Sequence, residues 1–239
     1  MTSNLQLCVS PRFCGPDGMG NGGYVAGLVA EAVGGTAKVR LHAPTPLDTP
    51  LDLVREDGSA SLKHGDTLLV WGESLGKPLD LDPPPPPTPQ AIAEAAPFFP
   101  SPTEHMAPHC FVCGNVRDPA DALCLHSGNH PATGHALAAW VPNADLAEAD
   151  GLVAVRYLWA ALDCPSYFGL QHHHRVALLA GMAARIDRRP APGERLTVTG
   201  WAIDHDGRKH HSGSVLHDES GAPVAMARAL WVDVGAVGG

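Results

Sequence analysis

The run from Tyr157 to Leu170, Tyr-Leu-Trp-Ala-Ala-Leu-Asp-Cys-Pro-Ser-Tyr-Phe-Gly-Leu, is apolar on nearly every side and carries one carboxylate, Asp163, at its middle. A helix of this composition has to be covered by other elements. An unpaired carboxylate buried within it costs several kcal/mol. Asp163 therefore either pins a neighbour, through backbone N–H groups or an arginine such as Arg185, or it does chemistry. A second buried helix is expected over Tyr24–Val33, where Asn21 is placed to cap the start and Gly34-Gly35 to end it.

The rest of the chain reads as short antiparallel strands joined by tight turns. In the first half these are expected near residues 5–10, 38–42, 51–54, 61–63 and 67–73. In the second half they are expected near 122–126 and 135–141, then, after a helix at about 151–170, at 177–186, 195–204, 209–217 and 224–234. Residues 78–103 interrupt this pattern, with five consecutive prolines at Pro83–Pro87 and further prolines at 89, 97, 100 and 102. Such a segment is a stiff extended connector. The expected organisation is an N-terminal unit over 1–80, a proline-rich linker over 81–103 and a C-terminal unit over 104–239. Each unit is one buried helix followed by a run of strands, with little residue identity between the two.

The chain is 44% hydrophobic over 239 residues, enough for a sizeable core, and its net charge of -9 argues against a nucleic-acid partner. No uncharged apolar run reaches the ~18 residues of a membrane span. The N-terminus lacks a basic region followed by an apolar block, so a cytoplasmic location without membrane attachment is expected. The six cysteines then read as thiols or ligands rather than disulfides. Met19-Gly20-Asn21-Gly22-Gly23 has neither a phosphate-loop lysine nor the strand and acidic residue of a dinucleotide site, and no cofactor is expected. Cys110-Phe-Val-Cys113 has the spacing of half a tetrahedral zinc site, and Cys124 with His126 could complete it, but no metal is expected here and zinc on these four residues is only the alternative. The run His172-His173-His174 fans out whatever its conformation and suits a helix end.

Three stretches carry a resemblance to a known family. Asn21-Gly22-Gly23-Tyr24-Val25-Ala26 is similar to the His-Gly-Gly-Tyr opening of the first helix in the acyl-CoA thioesterase II family. Cys110-Phe111-Val112-Cys113-Gly114, followed by Ala122-Leu123, resembles a Cys-x-x-Cys-Gly…Gly-Leu segment of small hot-dog thioesterases, which usually needs no metal. Asp206-Gly207-Arg208…Ser212-Gly213-Ser214…Asp218–Ala225 resembles the closing hairpin of these proteins. The resemblance implies an α+β double hot-dog, two antiparallel sheets that each wrap a central helix and run on into one another. It implies hydrolysis of an acyl-CoA or related thioester between the two helices, with Asp163 as base or water-orienting group. Asn21, Gly22 and Gly23 would bind the substrate, with amides near Gly23 at the carbonyl oxygen. Arg208 and Lys209 could meet CoA phosphates or simply form an ordinary charged hairpin turn, while Ser166, Tyr167 or the histidine run could assist. Exposed sheet edges of such units often pair, which implies a homodimer.

The sequence also departs from that family. Its catalytic Thr is expected where this chain has Ala177-Leu178-Leu179, its Gln where this chain has Arg228-Ala229, and its His is Asn21 here. The alternative is a non-catalytic module that binds an acyl thioester or hydrophobic small molecule. A third reading, a dehydratase on the same fold, is disfavoured because the His/Asp or His/Glu helix signature of such enzymes is not visible in this chain.

Overall fold

The computed structural model describes residues 3–170 and 176–235. The first buried helix, α1 (Gly22–Val33), starts where Asn21 predicts: the Asn21 side chain accepts the Tyr24 N–H at 2.9 Å, and Gly34 ends the helix in a left-handed conformation. The second long helix, α3 (Val155–Phe168), has no cap of its own. A neighbour supplies it: Glu31, near the end of α1, accepts the Arg156 N–H at 2.8 Å and pairs with the Arg156 guanidinium at 2.8 Å. One helix thus closes the open start of the other.

The two helices cross with their backbones close together. A Cβ added at Gly23 would lie 2.4 Å from Asp163 Cβ, and one added at Gly27 would lie 2.5 Å from Arg156 Cα. The crossing therefore needs glycine at both positions. Gly27→Ala should cost about 1–3 kcal/mol, because the obstructing atoms are backbone that cannot rotate away. Denaturant midpoints of the two proteins compare directly, and an unchanged midpoint would mean that the helices separate freely.

Around the helices runs one eleven-stranded antiparallel sheet. Its strands are β1 (Ser3–Cys8), β2 (Ala37–Leu41), β3 (Pro50–Glu56), β4 (Ser59–His64), β5 (Thr67–Ser74), β6 (Gly128–Asn129), β7 (Ala136–Trp140), β8 (Val176–Ile186), β9 (Leu196–Asp206), β10 (Lys209–His217) and β11 (Pro223–Gly235). Their spatial order is β1-β3-β4-β5-β2-β8-β11-β10-β9-β7-β6. The two sheets, expected to run on into one another, form a single one. The seam is the pairing of β2 with β8, Ala37 opposite Ala184 and Val39 opposite Met182, which removes one exposed edge from each half.

Two local expectations are corrected. Residues 122–126 form no strand. Cys124 takes a left-handed backbone (φ 49°), and the Leu123 and Leu125 amides bond to Phe111 and Val112 rather than to a sheet neighbour. The connector is not extended throughout either, since it contains a short helix, α2 (Pro89–Ala95), started by the Thr88 hydroxyl on the Ala91 N–H with proline in the first turn. No described helix is long and apolar enough to cross a membrane.

Candidate functional site

Asp163 lies on the face of α3 turned to the start of α1. Its Oδ2 accepts two hydrogen bonds, from the Gly23 N–H at 2.9 Å and from Asn21 Nδ2 at 3.0 Å. The first of these donors is among the free amides that every helix start exposes. Arg185 does not pair with Asp163; it bonds to Asp187. The second oxygen, Oδ1, is buried and has no hydrogen-bond partner. Burial pushes the carboxyl up to about 7, against the pull of the Gly23 and Asn21 donors.

This crossing forms one wall of a cavity of about 260 Å³. Asn21, Gly22 and Asp163 line it from the helices, Leu179 and Trp231 from the sheet, and Thr45 from the loop after β2. Gly23 is not on the wall, and its amide is already taken by Asp163. Gly22, the first residue of α1, does line the cavity, and an amide at that position has no partner within the helix. Ala177, where the resemblance called for Thr, also lines the cavity.

Further groups on this wall come from residues that the sequence does not flag. His105 Nδ1 accepts the Ala107 N–H at 3.0 Å, so the ring proton sits on Nε2. That Nε2 is buried and unpartnered, and the ring belongs to the cavity lining. Burial pushes the His105 pKa down, which keeps the ring neutral. Cys164, next to Asp163 on α3, lies beside Cys110 with sulfurs 3.8 Å apart. No spacing rule links residues so far apart in the chain.

The Cys110–Gly114 loop is held against the helix crossing. Its Phe111, fully buried, packs edge-on to Phe13 with ring centres 5.0 Å apart, and Phe13 stacks on Tyr24 at 4.1 Å. The Phe111 amide bonds to the Cys14 carbonyl at 2.8 Å. Gly114 is needed because a Cβ there would lie 2.5 Å from the Cys110 carbonyl oxygen. Cys110, Cys113 and Cys164 are all buried and line the cavity, whereas Cys124 and His126 do not line it. Among the described residues, the group of ligand-type atoms within 4.8 Å of one another is Cys110, Cys113 and Cys164. The alternative second half-site of Cys124 and His126 therefore does not join the first. His126 instead stacks on Phe99 and reaches the Gly114 carbonyl. Hydrogen bonds from the Cys113 and Cys164 thiols push the Cys110 pKa down.

Other named residues lie elsewhere. Ser166 is committed to structure, since its hydroxyl donates to the Asp163 carbonyl at 2.7 Å and accepts from Trp231 Nε1 at 3.0 Å. Tyr167 lines the cavity, and burial pushes its phenol up to about 12. Arg208 and Lys209 are exposed at the β9–β10 hairpin, off the cavity wall. Lys209 is nevertheless in register with Val232 of β11, which does line the cavity. The run His172-His173-His174 lies outside the described residues.

A long helix wrapped by a curled antiparallel sheet is the hot-dog fold, and solved structures show the same architecture over nearly the whole chain. A candidate thioesterase of Novosphingobium aromaticivorans is similar with a TM-score of 0.63 at 18% identity, covering 96% of this chain and 94% of its own. A candidate thioesterase II of Thermobifida fusca gives 0.63 at 15% identity, covering 96% and 92%. A hot-dog-fold protein of Alicyclobacillus acidocaldarius gives 0.62 at 13% identity, covering 98% and 94%. At these identities the likeness defines the fold, and function has to be argued from the site. No protein-family model matches the chain, and no curated protein matches its sequence.

Proposed function

We propose that the chain is a double hot-dog hydrolase of acyl thioesters, acyl-CoA or a related carrier. Its acyl group would lie in the cavity beside the α1–α3 crossing. The observation that carries this reading is the coincidence of Asp163, a free helix-start amide at Gly22 and a largely apolar cavity. Two donors already saturate Oδ2, so Oδ1 is the oxygen left to take a proton from water. A water reaching Oδ1 adds to the thioester carbonyl carbon and gives its proton to Asp163. The developing oxyanion is met by the Gly22 N–H, with His105 Nε2–H as a second donor. The carbon–sulfur bond then breaks, the thiolate takes a proton, and the free acid leaves. Arg208 and Lys209, exposed across one strand from the cavity wall, are the cations proposed for the carrier's phosphates. The relatives named as candidate thioesterases are consistent with this chemistry.

The test is a panel of acyl-CoAs incubated with the purified protein and a thiol-trapping reagent. Thiol release above the uncatalysed rate for at least one acyl group is the expected result. A second reading, binding without hydrolysis, is favoured by Ala177 on the cavity wall in place of a hydroxyl. It predicts a thermal shift on adding acyl-CoA and no thiol release, an outcome that would displace the hydrolase reading.

A further inference from the structure

We propose that Cys110, Cys113 and Cys164 form a binding site for one thiophilic divalent cation of the zinc class, with its fourth coordination position turned to the cavity. The site rests on its own observations and not on the thioester reading. Ligand atoms from two unconnected elements converge: the Cys110–Gly114 loop brings two sulfurs and α3 brings the third, all within 4.8 Å. The Cys110–Cys164 separation of 3.8 Å is far too long for a disulfide, whose sulfurs sit about 2.05 Å apart. It matches the edge of a tetrahedron built from zinc–sulfur bonds of about 2.3 Å, which is about 3.8 Å.

The surroundings also suit thiolates. The Val112 N–H points at Cys110 Sγ at 3.4 Å, and Asn21 Nδ2 lies 3.7 Å from the same sulfur and 4.0 Å from Cys164 Sγ. Amide donors of this kind orient and stabilise metal-bound sulfur. Beside them Asp163 keeps Oδ1 buried and unpartnered. Three thiolates without a cation could not persist in such a buried place. Three sulfurs with one open position is the ligand count of a zinc centre that still admits a fourth group. Binding replaces the thiol protons with the ion and releases them to solvent. Cys8 is exposed and Cys14 and Cys124 are half-buried, and none of them belongs to the cluster.

The experiment uses the full chain purified under reducing conditions without chelator, with zinc measured by elemental mass spectrometry. About one zinc per chain is expected in the wild type and in Cys124→Ser, and less than about a tenth of that in Cys110→Ser and Cys164→Ser. Chelator-stripped wild type titrated with cobalt(II) should develop sulfur-to-cobalt charge-transfer bands that saturate at about one equivalent. This arm needs no variant, so it decides the matter even if a cysteine variant fails to fold. Wild type that takes up neither zinc nor cobalt while folded by circular dichroism would overturn the proposal. Equal metal loss in Cys124→Ser and Cys164→Ser would overturn it too. Neither readout depends on hydrolysis, so a failed metal test leaves the thioester reading standing, and a failed turnover test leaves the metal site standing.

Discussion

Asp163→Asn should lower thioester turnover by about 10²–10⁴-fold, the range for removing a general base, and leave the protein folded. The replacement is the same size and fits the existing hydrogen bonds. Its carbonyl oxygen can take the place of Oδ2 and accept the Gly23 N–H and Asn21 Nδ2 bonds, now 2.9 and 3.0 Å. Its NH₂ takes the place of Oδ1, which has no partner to lose. Burial disfavours the charged carboxylate here and pushes its pKa up to about 7, so the amide should be no less stable than the acid at neutral pH. The variant therefore separates chemistry from architecture. The expected record is a collapsed kcat, an unchanged melting temperature and retained binding of acyl-CoA in a thermal-shift titration. Turnover equal to that of the wild type would leave Asp163 as a helix-pinning residue and no more.

Trp159→Ala should cost about 3–5 kcal/mol, the largest stability loss expected of a single core truncation here. Trp159 is fully buried at the centre of α3 and is among the largest side chains with no exposure. Its Nε1 donates to the Gly35 carbonyl at 3.0 Å, just past the end of α1. One side chain thus fills the core and ties the two helices at the end opposite Asp163. Removing it opens a cavity between backbones already in contact at Gly27, which leaves little room to collapse. For a chain of this length the loss corresponds to a drop of roughly 6–20 °C in melting temperature. Trp159→Phe, which keeps most of the volume and loses the Nε1 bond, should fall between the two. A drop below about 2 °C for Trp159→Ala would show that the crossing does not depend on this packing.

Much of this architecture was legible because it rests on local signals. Asn21 and Gly34 mark the two ends of α1 through side-chain capping and a left-handed glycine. The alternation in Lys38–His42 and the turns at Asp57-Gly58 and Asp206-Gly207 mark strands that are present. The failures have physical causes as well. Residues 122–126 are apolar enough to read as a strand, but tertiary bonds to the Cys110–Gly114 loop claim the Leu123 and Leu125 amides. Thr88-Pro89 is a readable helix start that the surrounding prolines obscure. That the two sheets run together is expected from the resemblance, but the choice of β2 and β8 as the seam depends on long-range pairing and leaves no local mark. The same holds at the site. Asp163 stood out because a carboxylate in an apolar helix requires an explanation. Cys164 and His105 gained meaning only when folding set them around one cavity.

The central claim is that an acyl thioester is held in that cavity with its carbonyl at the start of α1. The measurement that tests it most directly is a crystal structure of the Asp163→Asn variant with an acyl-CoA bound. The account predicts the acyl chain inside the cavity and the thioester carbonyl oxygen within hydrogen-bond distance, about 3 Å, of the Gly22 N–H. It also predicts the side chain at position 163 within reach of the carbonyl carbon through one water. An acyl chain seated outside the α1–α3 cavity, or a carbonyl turned away from Gly22 and residue 163, would contradict it.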